Sequence, residues 1–99
     1  MEEKKTITLD LTKCKYLGEL HERIRVAFDF PVWYGANWDA FWDLLRSECD
    51  ADKLEVFGVD TLPTDFDEEI KFMKTVLEKF KNSCKKYDDF FEYEFIDRS

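Results

Sequence analysis

Lys53-Leu54-Glu55-Val56-Phe57-Gly58-Val59 reads as a β-strand, with Leu54, Val56, Phe57 and Val59 as its apolar members. Its neighbours decide what kind of sheet it joins. Before it, Trp38 to about Glu48 has helical spacing, and Asn37 stands where an N-cap belongs. After it, Asp60-Thr61-Leu62-Pro63 is a loop, and Thr64 with Asp67 three residues on has the form of a capping box, so a long helix is expected to start there. That helix carries Phe66, Ile70, Met73, Leu77, Phe80 and Cys84 in one stripe.

Further out, Thr6-Ile7-Thr8-Leu9-Asp10-Leu11 alternates apolar and polar residues, as a half-buried strand does. From Tyr16 to Phe28, Leu17, Leu20, Ile24, Ala27 and Phe28 recur at helical spacing. Asp29-Phe30-Pro31 is expected to end that helix, because the residue before a proline is pushed out of the α region. Phe90 to Ile96 closes the chain as a third strand, with Phe91, Tyr93 and Phe95 against Glu92 and Glu94. The order is strand, two helices, strand, helix, strand. Helical crossovers between successive strands imply a parallel sheet, so the expected fold is α/β: a small three-stranded parallel sheet packed with three to four helices. Glu92 and Glu94 would keep an edge strand from pairing with another chain.

The length of 99 residues matches a single domain over 1–99. With 44% hydrophobic and 17% aromatic residues the chain has enough apolar material for a core, despite 38% charged residues. Fifteen basic against twenty-three acidic residues leave a net charge of −8. Nucleic acids and anionic membranes are bound through basic surfaces, so neither is an expected partner. An acidic surface attracts a basic protein instead. Cys14, Cys49 and Cys84 are odd in number and far apart, which argues for reduced thiols rather than disulfides or structural zinc. Met1-Glu2-Glu3-Lys4-Lys5 lacks the apolar run of a signal peptide, and no stretch has the ~18 apolar residues of a membrane span, so a soluble cytoplasmic protein is expected.

One segment differs from its surroundings. Between Phe30 and Ser47, Trp33, Tyr34, Trp38 and Trp42 are interleaved with Asp39 and Asp43. On a helix, Asp39 and Asp43 lie one turn apart on one face, while Phe41, Leu44 and Leu45 point the opposite way. Trp42 falls on the boundary between the two faces. The two aspartates repel by a few tenths of a kcal/mol, roughly, so stability alone does not account for them. An exposed acidic face is ordinarily just solvated, and Arg46, one turn on from Asp43, is placed to neutralise it. An aromatic loop, a glycine and paired acids in so short a span nevertheless have the composition of an interface hot spot.

Phe30-Pro31-Val32-Trp33-Tyr34-Gly35-Ala36-Asn37-Trp38-Asp39-Ala40-Phe41-Trp42-Asp43-Leu44-Leu45 resembles the signature of barstar-type ribonuclease inhibitors. The resemblance implies a barstar-like fold and an inhibitor that plugs the active site of a small basic ribonuclease. It makes Asp43 the central acidic anchor, standing in for a substrate phosphate, and Asp39 a second carboxylate. It makes Trp33 the loop aromatic packed on the enzyme and Trp42 a contact beside the anchor. Gly35 and Asn37 would shape the loop and cap the helix, and Tyr34, Trp38 and Arg46 complete the expected partner-binding set. Three departures stand out: Arg46 where a small polar residue is common, Ala36 where the best-known member is acidic, and Asn82 near a further acidic contact. They imply a divergent nuclease target or another basic protein.

Other chemistry is poorly supported. Asp39 and Asp43 are spaced superficially like a glycosidase pair, but neighbours on one exposed helix do not flank a cleft, so no catalytic residues are expected. His21, the only histidine, falls on the polar side of the first helix and reads as surface. Asp50-Ala51-Asp52 and Asp65-Phe66-Asp67-Glu68-Glu69 lack the ligand pattern of an EF-hand, so no metal is expected, and no motif implies a cofactor. Two alternatives to the nuclease inhibitor remain: a non-inhibitory interaction module for another cationic protein, and a homo-oligomer joined through Trp33 and Trp42. Of the oligomeric states, a monomer when free is expected.

Overall fold

The computed structural model describes residues 5–35, 37–48 and 51–96. Three five-residue strands, β1 (Thr6–Asp10), β2 (Lys53–Phe57) and β3 (Glu92–Ile96), form one sheet in the order β1-β2-β3. Both pairings are parallel, with Leu54 opposite Ile7 and Tyr93, and Val56 opposite Leu9 and Phe95. Three α-helices accompany them: α1 (Leu17–Phe28), α2 (Trp38–Glu48) and α3 (Asp67–Lys86). This is the α/β arrangement expected from the order of elements.

The helices pack on one face of the sheet. Ile7, Leu9, Leu54 and Val56 point into a core shared with Leu20, Ile24, Phe41, Leu45, Met73 and Leu77. The opposite face is charged: Lys53 Nζ lies 3.7 Å from Glu55 and 3.6 Å from Glu94, two acids that face each other across β2 and β3. Parallel sheets are normally covered on both sides, and here polar side chains take the place of a second layer. Glu92 and Glu94 are exposed on the edge strand, as edge protection requires.

Several boundaries differ from expectation, each for a local reason. β2 stops at Phe57, because Gly58 adopts φ 83°, and Val59 enters a 3-10 turn, Val59–Thr61. α1 ends before Pro31 can act: Asp29 is left-handed at φ 59°, ψ 40°, and its N–H bonds the carbonyls of Arg25 and Val26. The Thr64/Asp67 capping box does not form. Thr64–Phe66 is instead a 3-10 turn after Pro63, Phe66 is the N-cap of α3 without a side-chain cap bond, and Asp67, Glu68 and Glu69 place negative charge at the positive helix end. The α3 stripe is as expected, with Phe66, Ile70, Met73, Leu77 and Phe80 buried and Cys84 half-buried. β3 begins at Glu92, so Phe91 is buried just ahead of the strand.

His21 corrects the surface assignment: only 2% of it is exposed. It lies on the same stripe of α1 as Ile24 and Phe28, three and seven residues on, and so faces the core. Cys14 is buried and Cys84 half-buried, both as free thiols, and burial raises the pKa of each. Cys49, Asp50, Ala36 and the Met1–Lys4 end lie outside the described residues. Among the described residues no helix is long and apolar enough to cross a membrane.

Candidate functional site

Pro31 to Gly35 is a tight turn, closed by the Tyr34 N–H donating to the Pro31 carbonyl at 3.0 Å. Its tip carries Val32 and Trp33, which are 86% and 71% exposed. Trp33 is thus a large aromatic ring left in water at the front of the acidic helix, a costly placement unless something covers it. Tyr34, the next residue, points the other way and is buried. It is a core residue rather than a surface contact. Its hydroxyl is hydrogen-bonded to His21 Nδ1 at 2.7 Å, and burial pushes the phenol well above its ordinary pKa.

The turn is tied to α2 by Asn37. The Ala40 N–H donates to Asn37 Oδ1 at 2.8 Å, which is the expected N-cap bond, and Asn37 Nδ2 donates to the Gly35 carbonyl at 3.1 Å. A side chain on Gly35 would sit 3.2 Å from Asn37 Nδ2 and 3.4 Å from the Ala40 methyl, so a glycine lets loop and cap close on each other. Asn37→Ala should therefore cost about 1 kcal/mol of stability, read as a lower unfolding midpoint in urea. An unchanged midpoint would show that the cap bond contributes nothing.

α2 presents three kinds of side chain. Phe41, Leu44 and Leu45 are buried, with Phe41 packed edge-on to Phe28 and Trp38 at 5.6 Å. Trp38 and Trp42 are half-buried, and Asp39, Asp43 and Arg46 are exposed. Trp38 faces inward: its Nε1–H donates to Glu69 on α3 at 2.8 Å, and its ring lies 4.6 Å from His21. Tyr34 and Trp38 therefore support the surface from behind. Trp33, Gly35, Asn37, Asp39, Trp42, Asp43 and Arg46 form its outward side.

Among the described residues, neither Asp39 nor Asp43 has a cationic partner. Arg46 does not neutralise Asp43. Its guanidinium lies over the Trp42 ring at 5.3 Å, and Lys79 of α3 approaches the same ring at 4.7 Å. Two carboxylates thus stand unneutralised on a rigid helix, flanked by an exposed tryptophan on one side and a cation-covered one on the other. Such a surface can accept bidentate hydrogen bonds from arginine, or charge-assisted bonds from lysine, groups that otherwise hold phosphate. Asn82 is exposed in a groove beside Lys79 and Tyr93.

Three participants escaped the sequence reading: His21, Glu69 and Lys79. His21 was legible in principle from its register with Ile24 and Phe28, whereas the reach of Glu69 and Lys79 from α3 has no local signal. A family model described as Barstar (barnase inhibitor) matches residues 4–95. No curated protein matched the chain.

Proposed function

The chain belongs to the barstar family, and on that premise we propose that it inhibits a small basic ribonuclease by laying α2 and the preceding turn over the enzyme's phosphate-binding site. The observation that carries this reading is the unneutralised pair Asp39 and Asp43 on a helix held in place by Asn37. Asp43 is the anchor for the enzyme's cations, Asp39 is the second acceptor, and Trp33 covers part of the groove where RNA would lie. Trp42 packs beside the anchor. No step of this mechanism asks the inhibitor to do chemistry. The whole chain, 1–99, acts as one unit in this reading, as a cytoplasmic monomer until it meets the enzyme.

The net charge of −8 adds long-range attraction for a basic enzyme. Binding should accordingly be fast at low ionic strength and slow as salt screens the approach beyond about 10 Å. The experiment titrates the purified protein into barnase and other small basic ribonucleases and follows RNA cleavage. Stoichiometric loss of cleavage, with an association rate that falls with salt, is the expected result. A protein captured without any loss of cleavage would instead assign the face to a non-inhibitory partner.

A further inference from the structure

Behind the outward side lies a cluster that the inhibitory reading does not use. His21 of α1 is hydrogen-bonded to Tyr34 of the turn and lies against Trp38, the first residue of α2. Trp38 in turn donates to Glu69 of α3. One buried imidazole therefore contacts both segments that carry Trp33, Asp39 and Asp43. We propose that His21 is a positioning residue for the partner-binding face, and that a proton on its ring loosens the turn and the start of α2, so that acid weakens nuclease binding. This deepens the inhibitory reading and rests on it.

The chemistry around the ring is simple. On α1, Glu22 pairs with Arg25 and Glu19 with Arg23, so these charges are already matched. The turn offers the Tyr34 hydroxyl, α2 the Trp38 indole, and α3 the Glu69 carboxylate, while Asp39 and Asp43 face outward. Burial holds the His21 pKa below its ordinary value, and Glu69 opposes that shift. The fold therefore favours the neutral ring, and the stability this contributes is present above the ordinary pKa of 6.5 and is lost as pH falls below it. A protonated ring has two donors and no acceptor: its Nδ1–H can only donate to the Tyr34 hydroxyl, and its Nε2–H needs an acceptor of its own. Its charge also draws the Glu69 carboxylate, which is the acceptor that holds Trp38. The tie between α2 and α3 is then weakened, and the contact between α1 and the turn must accommodate a buried charge.

The test is a pH titration of the full chain by NMR. It follows the His21 ring together with the amides of Trp33, Gly35, Asn37 and Asp39 and the Trp38 indole N–H. These signals should move with the His21 midpoint and become insensitive to it in His21→Gln. Glu69→Gln keeps an acceptor for Trp38 but removes the opposing charge, so the His21 midpoint and the loop signals should move together to lower pH. Ring titration without loop movement, or loop movement unchanged in His21→Gln, would overturn the proposal. A second arm measures barnase binding at about pH 7.5 and 5.5. The wild type should lose up to about fivefold more affinity than His21→Gln, the change that one unit of pKa difference between free and bound states produces at about pH 5.5 for a ring whose free midpoint lies below 6.5. Equal losses would also refute it. If the loop responds but barnase and related enzymes never bind, the coupling stands and the nuclease reading fails.

Discussion

Asp43→Ala is expected to reduce affinity for the target ribonuclease by roughly thirty- to several-thousandfold while leaving the free protein folded. The magnitude follows from removing one member of a buried, hydrogen-bonded charge pair, about 2–5 kcal/mol or more at roughly 1.4 kcal/mol per tenfold. Barnase–barstar complexes, which contain a member of this family, are among those in which effects of this size have been measured. The separation from stability does follow from this structure. Asp43 is exposed and has no ion-pair partner among the described residues, so its loss from the free protein breaks no tertiary contact. Relief of the repulsion with Asp39 should even raise stability by a few tenths of a kcal/mol, roughly. Most of the affinity change should appear as faster dissociation, since approach depends on the whole acidic surface. Binding kinetics and a thermal melt of the same preparation check both halves. Wild-type affinity in Asp43→Ala would remove the anchor from the mechanism.

The largest effect on folding is expected at Gly58. Gly58→Ala should destabilise the protein by about 3 kcal/mol or more and lower its melting temperature by roughly 12–24 °C. Two penalties combine. The backbone stands at φ 83°, where a side chain costs about 1–2 kcal/mol. The added Cβ would also lie 2.5 Å from the Thr12 nitrogen and 2.7 Å from its Cα, which is backbone that cannot swing aside. That junction is stitched further by the Gly58 carbonyl, which accepts from the Thr61 N–H and hydroxyl, and by the Lys13 N–H donating to Thr61. A melt by circular dichroism decides the matter. A shift of less than about 2 °C would mean that the junction yields easily.

Much of the fold could be read from the chain because its signals are periodic. The α3 stripe, the alternation of β1 and the Asn37 cap are local patterns, and each specifies its element without help from distant residues. The same holds for the opposed faces of α2, which put Asp39 and Asp43 outside and Phe41 inside. What could not be read depends on contacts between elements. Gly58 ends β2 because Thr12 occupies the space beside it. Thr64 loses the role of helix cap because Pro63 starts a 3-10 turn first. Tyr34 and His21, both polar in character, go inside because each satisfies the other. Arg46 has an acid one turn away and an aromatic ring beside it, and only the approach of α3 with Lys79 completes its surroundings.

The bare side of the sheet has a practical consequence. Because Lys53, Glu55 and Glu94 replace a second helical layer, the molecule has a reverse side that faces water and takes no part in the core. Position Thr8, exposed on that side, is a suitable place to attach a dye or a solid support. A sensor tethered there would hold the inhibitor by its back and leave Trp33, Asp39 and Asp43 turned toward the solution.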